Sequence, residues 1–141
     1  MKKTLIAFLI AATALVGCKK DKSEATADKL IGKWMATTEV ETEYENGKIT
    51  HKDDPFSYSA DEWVVEFTGT QIKQYEFGKA IEEPYSYSVS GDKIIYTEDN
   101  KPKTIIIKTQ TDTNLVLSYE ETETLNGITY KEVNEVTFVK K

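Results

Sequence analysis

The chain has 141 residues and a formal net charge of −6, and all 18 of its basic residues are lysines. An acidic surface without arginine lacks both the positive field and the fork-shaped donor that phosphate-backbone recognition uses, so nucleic acid is excluded as a partner. One cysteine means no disulfide within the chain, and about 140 residues make one domain whose stability must come from a core.

At the N-terminus, Lys2 and Lys3 precede an apolar run from Leu5 to Val16 that only Thr13 interrupts. The run falls short of the ~20 apolar residues that a bilayer-spanning helix needs, and has the flanks of a secretory signal. It ends in Leu15-Val16-Gly17-Cys18, which resembles the lipobox of bacterial lipoproteins at all four positions. The resemblance implies a signal peptide over residues 1–17, cleavage before Cys18, and acylation of that cysteine. Several acyl chains on one residue would anchor the protein to a membrane without spanning it. Lys19 after the cysteine fits sorting to the outer membrane, and "KKDK" lacks the acidic run of surface-exported lipoproteins, so the expected location is the periplasmic face. Residues 18–28, the lipidated cysteine and "KKDKSEATAD", are polar and without apolar period, and form the expected tether. Asp28 is placed to cap one helical turn through Ile31.

From residue 29 to 141 the chain reads as all-β. Threonine, tyrosine, valine and isoleucine are plentiful, and proline is confined to Pro55, Pro84 and Pro102. Strands are expected over 33–45, 62–68, 71–77, 85–90, 93–98, 103–109, 114–121 and 129–139. Asn46-Gly47 and Asn126-Gly127 suit turns with two positive-φ residues, and Gly91-Asp92 and Asn100-Lys101-Pro102 mark further reversals. Alternation is plain in Tyr85, Tyr87 and Val89 against Ser86, Ser88 and Ser90, and in Leu115, Leu117 and Tyr119. Eight such strands in succession predict an antiparallel up-and-down barrel, which removes exposed edges. In the first strand, strict alternation puts Trp34, Ala36, Thr38, Val40, Thr42 and Tyr44 on one face. Glu39, Glu41, Glu43 and Glu45 fall on the other, expected to be a solvated exterior.

Gly32-Lys33-Trp34, after a short turn and before a long first strand, resembles the Gly-x-Trp signature of lipocalins. The resemblance implies an eight-stranded lipocalin-like barrel in which Gly32 and Trp34 close one end. It also places the connection after the first strand over the open mouth, with Phe56 and Tyr58 as lid residues and His51 on the rim. Lipocalins pack an arginine across the tryptophan; here the stem of Lys140 or Lys131 would have to stand in. Thr111-Asp112-Thr113 occupies the place of the family's Thr-Asp-Tyr.

Little in the chain suggests catalysis. His51 is the only histidine, beside Asp53 and Asp54, and reads as a solvated loop residue. A zinc site would need further histidine or free cysteine ligands that the chain lacks. Glu120, Glu121 and Glu123 lack the spacing of a calcium loop and read as a solvated face. The expectation is a binding protein rather than an enzyme, with no cofactor and no metal. Its candidate ligand-lining residues are Tyr44, Phe56, Tyr58, Tyr75, Tyr85, Tyr87, Tyr96 and Tyr119, for a small apolar or amphipathic molecule. An eight-stranded barrel is wide enough either to be filled by side chains or to hold one small ligand. The sequence therefore leaves open whether these rings line a pocket or fill the interior. In the second case the protein would serve as an interaction module for another envelope protein.

Overall fold

A computed structural model describes residues 27–141; the leader, Cys18 and most of the tether lie outside the described residues. The described part opens with one helical turn, α1 (Ala27–Leu30). Eleven strands follow among the described residues: β1 (Gly32–Glu45), β2 (Lys48–Lys52), β3 (Phe56–Ser57), β4 (Trp63–Phe67), β5 (Gln71–Glu76), β6 (Lys79–Ala80), β7 (Tyr85–Ser90), β8 (Lys93–Glu98), β9 (Lys101–Gln110), β10 (Asn114–Leu125) and β11 (Ile128–Lys140). Eight of them, β1, β4, β5 and β7 to β11, each pair antiparallel with the next, and β11 returns to β1 to close an up-and-down barrel. The closing seam runs from Trp34 opposite Lys140 to Glu45 opposite Tyr130.

The eight expected strands are therefore the eight of the barrel. The three short strands are new, and two of them correct the expectation of one long loop from residue 48 to 61. Asn46 and Gly47 both have positive φ (49° and 79°), the geometry of a tight hairpin turn, so β2 folds straight back onto β1. β3 then docks beside Thr38 and Glu39. One edge of β1 is thus shared by β4, β3 and β2 in succession.

The core sits inside one half of the barrel. Leu30, Trp34, Phe67, Ile94, Leu115, Leu117, Val136 and Phe138 are all fully buried there. Trp34 is the plug of this closed end, and its Nε1–H donates to the Leu30 carbonyl at 2.7 Å, satisfying a polar group that burial would otherwise strand. Lys140 lies across the ring, its Nζ 4.5 Å from the ring centroid and donating to the Ile31 carbonyl at 2.7 Å. It takes the position that the lipocalin resemblance assigns to arginine. Lys131 does not; it lies over Tyr44 at the other end of β11.

A single irregularity decides the interior of the other half. Ala36 pairs with Phe138, but Thr38, two residues on, pairs with the next residue, Thr137, so Thr37 is an extra residue in a β-bulge. Its hydroxyl donates to the Thr137 carbonyl at 3.0 Å and its carbonyl accepts from Tyr58 N–H at 3.0 Å. Before the bulge Trp34 and Ala36 face inward. After it the parity reverses, and Glu39 shares a face with Val136 and Leu117 of the core. The expected assignment of faces in β1 is thus overturned beyond Ala36. Glu39, Glu41, Glu43 and Glu45 continue the inner face, and Thr38, Val40, Thr42 and Tyr44 turn outward.

Candidate functional site

With the closed end filled, the open half of the barrel is where a ligand could sit. The register separates the eight candidate aromatic residues. Tyr44 is on the outer face with Lys131 and Thr122, because of the bulge. Tyr75 is also outside, paired with Val64 and Ala80, with its hydroxyl donating to Glu66 at 2.7 Å and Lys33 over its ring at 5.3 Å. These two corrections follow from strand parity, which short aromatic runs do not reveal.

The other six face the interior or its mouth. Tyr87 packs edge-on against Phe67 at 5.5 Å and donates to the Thr68 carbonyl at 2.8 Å. Tyr85 and Tyr96 lie 5.4 Å apart, and the Tyr85 hydroxyl donates to Glu82 (2.5 Å), with the Glu98 carboxylate as a second acceptor in reach at 3.2 Å. Those accepting carboxylates hold the Tyr85 hydroxyl protonated well above its ordinary range. Tyr119 projects between Tyr96 and the β1 side, and burial raises its pKa strongly. Below these rings Val65, Ile72 and Ile105 floor a cavity of about 30 Å³, room for about one water.

The larger space opens beside the segment that follows β2. Phe56 and Tyr58 meet edge-on at 5.0 Å, Tyr58 lies 5.8 Å from Trp63, and Trp63 lies 5.4 Å from Phe138. This chain of rings runs from the mouth to the core. The Tyr58 hydroxyl donates to the inward Glu39 carboxylate, and burial together with that bond pushes the phenol pKa well up. Between this row and the ends of β4 and β5 is a cleft of about 380 Å³. Tyr58, Trp63 and Ile81 supply its apolar walls, and Glu39, Glu62 and Glu76 its charges. Gln74 separates it from the small cavity below, held by Trp63 Nε1–H at 3.1 Å.

Trp63, Glu39 and Gln74 were absent from the expected site. Trp63 had a signal, since Trp63, Val65 and Phe67 alternate in "WVVEF" and the last two are core. Glu39 had none, since its orientation depends on the bulge.

Past Tyr119, which pairs with Ile105, β10 leaves β9 and continues with β11, β1 and β2 as a flared sheet. Its inner surface carries Glu43, Glu45, Glu121, Glu123 and Glu132 around a groove of about 600 Å³. Lys103 reaches Glu121 at 3.3 Å, and Lys131 pairs with Glu120 at 2.7 Å. His51 and Asp53 form an exposed pair at 2.7 Å on this rim. Among the described residues, no group of three or more His, Cys, Asp or Glu side chains is placed to hold a metal ion.

Crowded carboxylates have a thermodynamic signature. The carboxylate of Glu132, diagonally across the β1–β11 seam, followed by desolvation, raises the Glu41 pKa above the ordinary carboxylate value. A raised pKa means that the folded state binds this proton more tightly than the unfolded chain. The resulting stabilisation is present near and below the ordinary value, and lost as pH rises through the raised one. Glu41→Gln is therefore expected to raise the thermal midpoint at pH 7, with the gain shrinking as the pH is lowered towards 4, as calorimetry at several pH values would show.

An eight-stranded closed meander with one plugged end and one open end is a calyx. Consistent with this architecture, a family model, the lipocalin-like domain, matches residues 30–117, well over half of the chain. The chain belongs to this lipocalin-like family. No curated protein and no solved structure matches it. The matched span runs from Leu30 to Leu117, and β11, which closes the barrel, lies beyond it. The lipocalin fold is a non-catalytic ligand-binding fold, in line with a protein that is not an enzyme. Among the described residues no helix is long and apolar enough to cross a membrane.

Proposed function

We propose that this protein is a membrane-anchored, lipocalin-like binding protein that holds a small apolar or amphipathic molecule at the open end of its barrel. The observation that carries the reading is the division of the interior. The closed end is packed solid around Trp34, whereas the open end keeps an aromatic-walled cleft of about 380 Å³, within the lower range of small-molecule pockets. The anchor rests on Leu15-Val16-Gly17-Cys18, and Lys19 favours the periplasmic face of the outer membrane. Native mass spectrometry of the protein, released gently from its own envelope, tests the binding reading. A reproducible non-covalent adduct that disappears on denaturation is expected.

The anchor has a separate test. Cys18→Ala is expected to move the protein from the membrane fraction to the soluble fraction and to abolish incorporation of labelled fatty acid. Unchanged fractionation and labelling would rule the anchor out.

One observation favours the second reading, an interaction module for an envelope protein. The enclosed part of the barrel retains only about 30 Å³, so a ligand must be held at the mouth. A bare mass from the native measurement, with a protein recovered by crosslinking in the envelope, would favour that alternative.

A further inference from the structure

We propose that the cleft beside Tyr58 and Trp63 takes a small organic cation carrying an apolar body, such as an alkyl- or arylammonium ion, rather than a fatty acid or another anion. The proposal rests on the binding function set out above and specifies its ligand class. Two ring systems stand 5.8 Å apart and tilted by 51°, presenting aromatic surface on one side of the cleft, with Ile81 on the other. Aromatic faces attract cations, most strongly tryptophan, and the attraction grows as the site is desolvated. Glu39, Glu62 and Glu76 add three carboxylates.

Lys79 stands opposite Glu76 in the β5–β6 pair without coming within ion-pair distance of it. Lys103 is engaged by Glu98 and Glu121, on β8 and β10, and no lysine lines the cleft. Glu39 accepts from the Tyr58 hydroxyl and Glu62 from the Ser59 N–H, so both are fixed by neutral donors that leave their charge uncompensated. Glu76 has no ion-pair partner among the described residues. An anionic head group would meet three like charges here, and a neutral one would gain a hydrogen bond without the charge attraction. The acidic groove on the flared sheet lies along the same inner surface, and would raise the local concentration of a cation and repel an anion.

The bulge at Thr37 ties this chemistry to the fold. It turns Glu39 inward and also presents the Thr37 carbonyl to the Tyr58 N–H. One extra residue thus brings together a carboxylate and an aromatic wall of the cleft.

The test is calorimetric titration of the full chain, in a neutral detergent, with three probes of similar shape: benzyltrimethylammonium, benzyl alcohol and phenylacetate. The cation is expected to bind at least tenfold more tightly than phenylacetate. Trp63→Leu should weaken it by roughly tenfold, and Glu39→Gln with Glu76→Gln by about the same factor. Glu135→Gln, which neutralises one carboxylate on the outer face, should leave the affinity as it was, whereas Glu76→Gln alone should lower it. Tighter or equal binding of phenylacetate would overturn the cationic class while leaving the ligand-binding reading intact. Binding of the cation that survives Trp63→Leu and the double glutamine variant would overturn the cleft as its site. If none of the probes binds, the proposal falls, and the native mass measurement then decides the parent reading independently. Glu76 is exposed, so Glu76→Gln alone keeps the test open if Glu39→Gln disturbs the fold.

Discussion

Trp34→Ala is expected to lower the unfolding free energy by about 3–5 kcal/mol, the usual cost of removing a large buried ring. Trp34 has no exposed surface and is surrounded by Leu30, Phe67, Leu115 and Phe138, which belong to four different elements. The void left behind is held open by barrel strands that cannot move in without breaking their ladders. The indole also donates to the Leu30 carbonyl, so the substitution unpins α1 from the end of the barrel. Urea unfolding followed by far-ultraviolet circular dichroism would measure the loss. A change near zero would mean that the ring does not seal the barrel.

Gly32→Ala carries the next largest expected cost, about 1–3 kcal/mol for holding a side chain in disfavoured backbone space. Gly32 has φ of +129°, outside the range that other residues readily adopt. A Cβ added there would also stand 2.8 Å from Lys140 Cε. Lys140 could swing away, but only by leaving the Trp34 ring and the Ile31 carbonyl. A double-mutant cycle separates the two causes. In a Lys140→Ala background the collision disappears, and the cost of Gly32→Ala should fall to the backbone component alone. Equal costs in both backgrounds would show that the lysine's position over the ring contributes nothing. The Gly-x-Trp pattern is thereby explained in this chain: the glycine leaves room for the cation that covers the tryptophan.

How much of this was legible beforehand depended on whether the signal was local. Tyr85 to Ser90 and Lys93 to Glu98 form strands with the bounds expected of them, because alternation and turn residues lie within a few positions of each other. The hairpin turn at Asn126-Gly127 was equally plain, both residues having positive φ (51° and 81°). The turn at Asn46-Gly47 is as legible, but its consequence is not. It pairs β1 with a fully exposed strand, which has no apolar period to betray it. Of the aromatic residues, Tyr87, Tyr96 and Tyr119 pack against the core as their alternation suggested, whereas Tyr75 faces solvent from within an unpatterned strand.

Amino-acid order alone determined an acidic all-β domain of eight alternating strands, with a tryptophan behind a glycine at its start and a lipobox-like tetrapeptide ahead of it. These properties are written in neighbouring residues, through side-chain parity, turn chemistry and the apolar run of the leader. The tertiary structure alone decided which lysine covers Trp34, since Lys140 reaches that ring only because β11 closes on β1. It alone decided, too, that the glutamates of β1 face inward. Strict alternation sends them outside, and Thr37 reverses the parity because its unpaired position is defined by hydrogen bonds to residues 21 and 100 positions away. A bulge belongs to a pair of strands rather than to either one, so a single strand's sequence cannot announce it.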